Sequence, residues 1–222
     1  MTTAIILAAG KSERMGVGTD KAFLSLVNKP VVAWSLLAFE RCTEIDNIVL
    51  VVRKDQILAS KAVVKMFGIS KMRKIVPGGN KRQDSVQAGF AACDMDTKYV
   101  VIHDGARPLI TSDIIAEVVK LVKRLPAVTV GHKVTDTIKM VEKGTTVSST
   151  LDREKLWAVQ TPQAFQVRAF RNAVKALGDK QVTDDCQMLE LAGESVKIYE
   201  NRKPNFKITT VEDLQIAGAL LR

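Results

Sequence analysis

Short apolar segments alternate with longer amphipathic segments along most of the chain. Two of the longer segments place apolar residues on one helical face, one after Pro30 and one after Ser112, which is a plausible N-cap. The short segments have the length of strands, and their unbroken apolar character is typical of strands buried on both faces. They comprise residues 4–8, 48–52, 74–76, 99–102 and 128–130. The alternation predicts an α/β fold, Rossmann-like, in which helices flank a mostly parallel sheet.

The alternation is interrupted at residues 132–151. Short β-prone pieces there flank the turn Glu142-Lys143-Gly144, which predicts a projecting β-hairpin. An isolated hairpin is marginally stable in water, so we expect this β-arm to pack on another surface, most simply a second copy of the chain. Beyond it, the chain returns through residues 168–177, and the pattern then predicts a short strand near 196–199, a short segment at 207–209 and a closing helix from Val211. We predict one domain over residues 1–222, with 132–151 as its β-arm.

Composition narrows the class of protein. A chain of 222 residues with 46% hydrophobic residues can bury a substantial core. Its three cysteines, Cys42, Cys93 and Cys186, are too few and too widely spaced for a disulfide framework or a zinc motif, which favours a reducing compartment. The first apolar run lacks a basic leader and is far shorter than the roughly 20 residues of a membrane span. We therefore expect no targeting signal and no membrane partner.

The net charge of +9 suits two kinds of anionic partner, a nucleic acid or a ligand with several phosphates. The basic residues are scattered, and aromatic residues make up only 5% of the chain. Single-strand binding surfaces usually combine a continuous basic groove with stacking aromatics. The sequence therefore favours a phosphate pocket over nucleic acid.

Small residues follow the first predicted strand in the segment Leu-Ala-Ala-Gly-Lys-Ser-Glu-Arg-Met-Gly, residues 7–16, and Lys21 comes soon after. Small residues at the carboxyl end of a strand let the backbone approach a ligand, and backbone N–H groups there can hold phosphate oxygens. The spacing fits neither the Walker A loop nor the dinucleotide Gly-x-Gly-x-x-Gly loop. An ordinary strand-to-helix turn with solvated basic residues is the alternative explanation of this segment.

Two further segments follow predicted strands directly: residues 78–86, Gly-Gly-Asn-Lys-Arg-Gln-Asp-Ser-Val, and residues 102–108, Ile-His-Asp-Gly-Ala-Arg-Pro. Both should reach the same edge of the sheet as the first loop. Asp104 offers a hard oxygen ligand suited to Mg²⁺ shared with substrate phosphates, while Gly105 and Ala106 leave room for a nucleotide. Taken alone, Asp104 also fits a turn-capping role.

Together, these motifs resemble the 2-C-methyl-D-erythritol 4-phosphate cytidylyltransferases in order and spacing over nearly the whole chain. The resemblance includes the three segments above and Lys21. It also includes Val-Thr-Asp-Thr-Ile-Lys (134–139), Leu-Asp-Arg-Glu-Lys-Leu-Trp-Ala-Val-Gln-Thr-Pro-Gln-Ala-Phe (151–165), Thr-Asp-Asp (183–185) and Lys207. It implies a homodimeric enzyme that acts on CTP and a small phosphorylated polyol, located in the bacterial cytoplasm or, for a mature plant form, in the plastid stroma.

The resemblance also implies roles for individual residues. The nucleotide would be bound by Ala8, Ala9, Gly10, Gly79, Arg82, Ser85, Asp104 and Gly105. The catalytic cations that hold the triphosphate would be Arg14, Lys21 and Lys207. Mg²⁺ would lie beside Asp104, and the polyol phosphate would be bound by Asp104, Arg107, Thr137 and Arg153. The β-arm would reach a neighbouring subunit.

The chain departs from the family's usual pattern at Asn80, Gly105 and Asp20. Asp20 bears most on the site, because an acidic neighbour could weaken Lys21 as a phosphate ligand. Asp184 and Asp185 fit a helix start or a buried cap, and no catalytic role is assigned to them.

The implied reaction is attack by a phosphate oxygen of the polyol on the α-phosphorus of CTP, with release of pyrophosphate. A phosphate monoester has its second pKa near ~6, so this nucleophile is already an anion at neutral pH. No general base is required, and we interpret His103 and His132 as structural residues.

Three alternatives share parts of this pattern. A ribitol 5-phosphate cytidylyltransferase would have the same fold and much of the CTP site. A noncatalytic nucleotide-binding regulator is disfavoured by the joint presence of Arg14, Lys21, Asp104 and Lys207. An RNA-binding module would rely on the net charge alone, and its binding would have to persist at moderate salt.

Overall fold

A computed structural model describes residues 1–10, 21–178 and 180–222. The strands are β1 (Thr2–Ala8), β2 (Ser25–Leu26), β3 (Lys29–Pro30), β4 (Asn47–Val52), β5 (Met72–Pro77), β6 (Tyr99–Asp104), β7 (Ala127–Lys133), β8 (Lys139–Val141), β9 (Val147–Thr150), β10 (Trp157–Gln166) and β11 (Val196–Glu200). The helices are α1 (Val31–Arg41), α2 (Ile57–Met66), α3 (Arg82–Ala91), α4 (Ser112–Val122), α5 (Val167–Leu177), α6 (Asp185–Leu191) and α7 (Val211–Leu220).

Seven strands form the central sheet, in the order β11-β7-β10-β6-β1-β4-β5. All neighbouring pairs are parallel except those of β10, which runs antiparallel to both β6 and β7. The predicted mostly parallel α/β sheet is therefore confirmed. The sequence prediction did not include β10.

The sheet is buried on both faces by helices. Along β1, Ala4, Ile6 and Ala8 pack on one side with residues of α1 and α4. Ile5 and Leu7 pack on the other side with residues of α3, α5 and α6. This alternation follows from the two-residue period of a strand, and it explains why the sequence of β1 is apolar throughout.

Several predicted details need adjustment. Helix α4 begins at Ser112, so the N-cap position is Thr111 and not Ser112. Strand β7 extends to Lys133, so the first two residues of the predicted arm belong to the central sheet. The hairpin itself is formed by β8 and β9, which pair antiparallel around the predicted turn. Residues 207–209 have no regular secondary structure.

The carboxyl ends of the neighbouring strands β6, β1, β4 and β5 lie at one edge of the sheet. The register pairs Leu7 with Asp104, Ala8 with Val52 and Val52 with Pro77. The segments that follow these strands are therefore brought together, as the sequence predicts. Among the described residues, no helix is both long enough and apolar enough to cross a membrane.

Helix α3 packs very closely on the sheet at Gly89. A Cβ atom there would lie 2.4 Å from Cγ2 of Ile5 and 2.9 Å from Cγ2 of Val51. Both neighbours are β-branched and buried, so they have little freedom to move away. The glycine thus sets the distance between the sheet and the helix that begins at Arg82.

We expect Gly89→Ala to lower the free energy of unfolding by about 1–2 kcal/mol, because the cost of overpacking exceeds the gain in helix propensity. Gly218→Ala in α7 is the matched control. Its Cβ would lie at an ordinary 3.7 Å from Leu26 Cδ1, so the substitution should stabilise by about 0.5–1 kcal/mol. Urea unfolding of the two variants measures both changes. Equal stabilisation by both would contradict the close packing of α3.

Candidate active site

A cavity of about 360 Å³ opens at the carboxyl edge of the sheet. Its wall includes residues that the sequence assigns to the nucleotide or the triphosphate, namely Ala8, Ala9, Gly10, Lys21, Gly79, Arg82, Ser85, Asp104 and Lys207. The structure thus gathers segments from both ends and the middle of the chain. Arg14 lies outside the described residues, as does Asp20.

Two glycines shape the wall of this cavity after β5. A Cβ atom on Gly78 would lie 2.6 Å from Ser85 Oγ, and one on Gly79 would lie 2.3 Å from the Cβ of Asp84. The N–H of Gly79 donates to Ser85 Oγ at 3.2 Å, and that hydroxyl donates to the carbonyl of Lys81 at 3.3 Å. Ser85 therefore holds the loop closely against α3, where a larger residue would not fit.

Asp104 is the electrostatic centre of the cavity. Its carboxylate lies 3.0 Å from Lys207 Nζ and 3.6 Å from the Nε atoms of Arg82 and Arg107. Burial by itself would raise the pKa of Asp104. The charges of Lys207, Arg82 and Arg107 outweigh burial and hold this pKa well below its ordinary value. Asp104 is thus a stable anion that keeps three cations together.

Arg82 bridges two carboxylates. Its Nη2 donates to Asp185 Oδ2 at 2.7 Å, while its Nε faces Asp104. Burial raises the pKa of the Asp185 carboxyl, and the contact with Arg82 opposes that rise. Asp185 has no predicted role, because nothing in the sequence pattern shows that α6 begins beside Arg82.

The start of α6 is fixed by Asp184 and Gln163. Asp184 caps the helix by accepting from the N–H of Gln187 at 2.9 Å, which confirms the predicted helix start. Gln163 of β10 donates to Asp184 at 2.7 Å and accepts from the N–H of Asp185 at 3.3 Å. The buried polar side chain of β10 is thereby satisfied, and it connects the sheet to Asp185.

Gly105 and Arg107 belong to the turn after β6 and do not line the cavity. The N–H of Gly105 donates to the carbonyl of Leu7 at 2.8 Å, which ties the turn to β1. Arg107 lies behind Asp104, where its Nη1 donates to the carbonyl of Asn205 at 2.9 Å. Ala106 contributes to the cavity wall instead.

The structure does not bring Thr137 and Arg153 to this cavity. Both are exposed. Arg153 donates through Nη1 to the carbonyl of Thr135 at 2.9 Å and lies 4.0 Å from Glu154. Within one copy of the chain, these two predicted polyol-binding residues are therefore separate from the cavity, whereas Asp104, also predicted to bind the polyol phosphate, lies in its wall.

The cavity is also lined by basic residues that were not among the predicted site residues. Arg53 and Lys54 follow β4, and Lys81 precedes α3. The rule that strand ends converge at one edge could have found the first two, because β4 was predicted correctly. With them, the described wall has six basic residues and a single acidic residue, Asp104.

The two histidines differ in environment. His103 is fully buried below Asp104, and its ring nitrogens face Thr161 Oγ1 at 3.1 Å and the carbonyl of Arg107 at 3.3 Å. Burial lowers the pKa of His103 to about 3. His132 is exposed on β7. Both ring nitrogens of His103 are engaged, as expected of a structural residue.

Asp104 also decides whether the site suits a divalent cation. In the part of the chain that the structure describes, no group of three or more Asp, Glu, His or Cys side chains is arranged so that it could hold a metal ion. Mg²⁺, however, is commonly held by one or two carboxylates with the remaining ligands supplied by phosphates and water. A single ionised carboxylate at the wall of a basic cavity fits such an ion only together with a polyphosphate.

Comparison with known proteins places the chain in a family. The model of the family described as 2-C-methyl-D-erythritol 4-phosphate cytidylyltransferase matches residues 2–222. Proteins of that name from Clostridium botulinum and Pelotomaculum thermopropionicum are 41% and 43% identical to the chain. Each match covers 99% of the chain, with 96% and 93% of the respective relative.

A solved structure gives the same result at the level of the fold. The 4-diphosphocytidyl-2C-methyl-D-erythritol synthase from Anaerococcus prevotii superimposes with a TM-score of 0.88 at 30% identity. The superposition covers 100% of the chain and 96% of that structure. The chain therefore belongs to the 2-C-methyl-D-erythritol 4-phosphate cytidylyltransferase family.

Proposed function

We propose that the protein transfers the cytidylyl group of CTP to 2-C-methyl-D-erythritol 4-phosphate. The products are 4-diphosphocytidyl-2-C-methyl-D-erythritol and pyrophosphate, in the non-mevalonate synthesis of isoprenoid precursors. One observation carries the proposal for this chain: Asp104 lies at the wall of a glycine-lined cavity, surrounded by Lys207, Arg82 and Arg107. Such a cavity suits a nucleoside triphosphate, and membership of the family identifies the nucleotide and the acceptor.

The main requirement of the reaction is to bring two polyanions together. An oxygen of the acceptor phosphate attacks the α-phosphorus, and the bond to the pyrophosphate oxygen breaks. Fixed cations reduce the repulsion between the reactants and stabilise charge on the oxygens around phosphorus. We assign this role to Lys21 and Lys207, which line the cavity, and to Arg14, on the family pattern.

Mg²⁺ is part of the proposal, with Asp104 as the residue that would hold it. When bound with the triphosphate, the ion would supply further positive charge to the phosphate oxygens. Lys207 contacts Asp104 directly, so the protein presents its cation and its carboxylate to the same region of the cavity. We expect phosphate oxygens to take up part of the Lys207 interaction when CTP binds.

The β-arm is proposed to complete the acceptor site of a second copy. Met140, Val141 and Val147 on the arm are apolar and substantially exposed. Burial of these residues against another copy would stabilise a dimer. Thr137 and Arg153 lie outside the cavity of their own chain, and we propose that they contact the acceptor in the cavity of a partner.

The direct test is pyrophosphate release from CTP, Mg²⁺ and 2-C-methyl-D-erythritol 4-phosphate. Ribitol 5-phosphate as acceptor and ATP as donor serve as parallel reactions. Turnover confined to CTP with the methylerythritol phosphate supports the proposal. Turnover with ribitol 5-phosphate alone would mean that ribitol 5-phosphate is the acceptor. A folded protein without turnover in any combination would reject the proposed activity.

We expect Lys207→Ala and Lys21→Ala each to lower kcat/KM by roughly 10²- to 10³-fold, as loss of one preorganised charge-stabilising group does in other enzymes. Lys61→Ala, an exposed lysine on α2, controls for the general loss of positive charge. Steady-state kinetics and circular dichroism measure rate and folding. Near-normal turnover of either cavity variant would remove the role assigned to that lysine.

Exchange of the arm between subunits is tested with a mixed dimer. We co-express a Lys207→Ala chain and an Arg153→Ala chain with different tags and isolate the heterodimer. If the arm acts on the partner, one of the two sites combines an intact cavity with an intact arm. The heterodimer should then have about half of the wild-type activity, as expected when the two sites work independently. If the arm acts on its own chain, neither site is intact and no activity returns.

Arg153→Lys gives a second measure of the arm's role. Lysine keeps the charge but cannot bind a phosphate through two parallel hydrogen bonds. The KM for the polyol phosphate should therefore rise more than the KM for CTP. Equal KM values for wild type and variant would exclude a bidentate contact with the acceptor.

The pH dependence follows from the acceptor and not from a histidine. Protonation of the acceptor phosphate below its pKa near ~6 removes the reactive dianion, so kcat/KM for the acceptor should fall about tenfold per pH unit below that point. His103 stays neutral in this range, because its pKa is about 3. The His132→Gln variant should show the same midpoint, and a shifted midpoint would implicate His132 in proton transfer.

A further inference from the structure

Lys207 lies in a segment without helix or strand, between β11 and α7. The backbone of this segment is tied to the rest of the fold at three residues, one of which is Asn205, whose carbonyl accepts from Arg107 Nη1 at 2.9 Å. The N–H of Asn201 donates to the carbonyl of Gly131 and that of Ile208 donates to the carbonyl of Ala106, both at 2.8 Å. A proposed catalytic cation on irregular backbone needs further contacts that fix its position.

Asn205, two residues before Lys207, provides such contacts. The residue is 2% exposed, and its Nδ2 donates to the carbonyl of Thr161 at 2.9 Å and to Gln160 Oε1 at 3.1 Å. The Thr161 carbonyl can only accept a hydrogen bond, which requires the NH₂ group of Asn205 to point toward β10. The side chain therefore has one preferred orientation.

The residues that Asn205 contacts also hold Asp104. Gln160 and Thr161 lie where the register of β10 against β7 shifts. The hydroxyl of Thr161 accepts from the N–H of Asp104 at 3.0 Å. Both members of the Lys207–Asp104 pair are thus anchored to the same part of β10. Asp104 is hydrogen-bonded to it directly, and Lys207 is connected to it through Asn205.

We propose that Asn205 is a positioning residue that fixes the Lys207 ammonium against the Asp104 carboxylate by anchoring the segment to Gln160 and Thr161. The proposal rests on the function assigned above, in which Lys207 stabilises the reacting phosphates. Small displacements of a catalytic group are costly, since a shift of about 1 Å can lower a rate by about 10²-fold.

Asn201 offers a matched control in the same segment. It is 5% exposed, and among the described residues its side chain bonds within its own turn, donating to the carbonyl of Lys203 at 2.9 Å and accepting from the N–H of that residue at 3.0 Å. Truncation of either asparagine removes buried hydrogen bonds. Only truncation at Asn205 removes a hydrogen bond to β10.

The kinetic test is a double-mutant cycle of Asn205→Ala and Lys207→Ala, measured at a temperature where all variants are folded. We expect Asn205→Ala to lower kcat/KM by roughly 10- to 10²-fold in the wild-type background. In the Lys207→Ala background, it should lower kcat/KM by less than about twofold, because a residue that acts through Lys207 has no effect once Lys207 is absent.

Equal losses in both backgrounds would mean that Asn205 acts on stability or on another group, and the proposal would be wrong. It would also be wrong if Asn205→Ala had wild-type kinetics, or if Asn201→Ala reproduced its effect. Asn205→Ser, which keeps a donor, takes the place of the alanine variant if that protein does not fold.

A second measurement does not depend on turnover. Reductive methylation of Lys207, followed by mass spectrometry of the peptide, reports how firmly its ammonium is held beside Asp104. Asn205→Ala should raise the labelling rate several-fold, and Asn201→Ala should not. An unchanged labelling rate in the Asn205 variant overturns the proposal, whether or not the wild type has cytidylyltransferase activity. Absence of that activity from the wild type would reject the proposed function separately.

Discussion

The site is organised around one buried negative charge. Removal of the Asp104 carboxylate from water is unfavourable, and the pKa of this group stays low only because three cations surround it. These cations come from distant parts of the chain: Arg82 begins α3, Arg107 follows β6, and Lys207 precedes α7. The carboxylate therefore stabilises the site only when the whole sheet and its final segment are assembled.

The antiparallel strand β10 connects these parts. It lies between β6 and β7, and its buried polar residues reach in two directions. Gln163 bonds to the start of α6, which holds Arg82 through Asp185, while Thr161 bonds to Asp104. A purely apolar strand at this position would give similar burial without these directional bonds. The polar residues thus specify where the charged groups of the cavity lie.

The same polar residues explain what the sequence could and could not predict. Strands such as β1 and β4 are apolar throughout, so their sequences identify them, and the convergence of strand ends then predicts the cavity. Strand β10 contains Gln160, Thr161, Pro162 and Gln163, a pattern that argues against a central strand. Its identity depends on hydrogen-bond partners far away in sequence, which hydropathy does not reveal.

The site was likewise predicted where its residues belong to sequence motifs, and missed where they depend on contacts between distant parts of the chain. Asp104, Lys21 and Lys207 were found because motifs place them after strands or within the family pattern, and the structure brings them to one cavity. Asp185 was left without a role, because its contact with Arg82 spans 103 residues of sequence. Thr137 and Arg153 are exposed and do not line the cavity. The order of motifs along the chain does not fix how far apart they lie in the fold.

The excess of positive charge in the cavity gives Asp104 a further significance. Six basic residues line the described wall, and the repulsion between their charges opposes their close approach. Asp104 holds Arg82 and Lys207 close to one another. An entering triphosphate then meets cations that are already gathered, so that less of its binding energy goes into bringing them together. In the proposed function, the Asp104 carboxylate thus provides the negative charge beside these cations that the phosphates of CTP provide once bound.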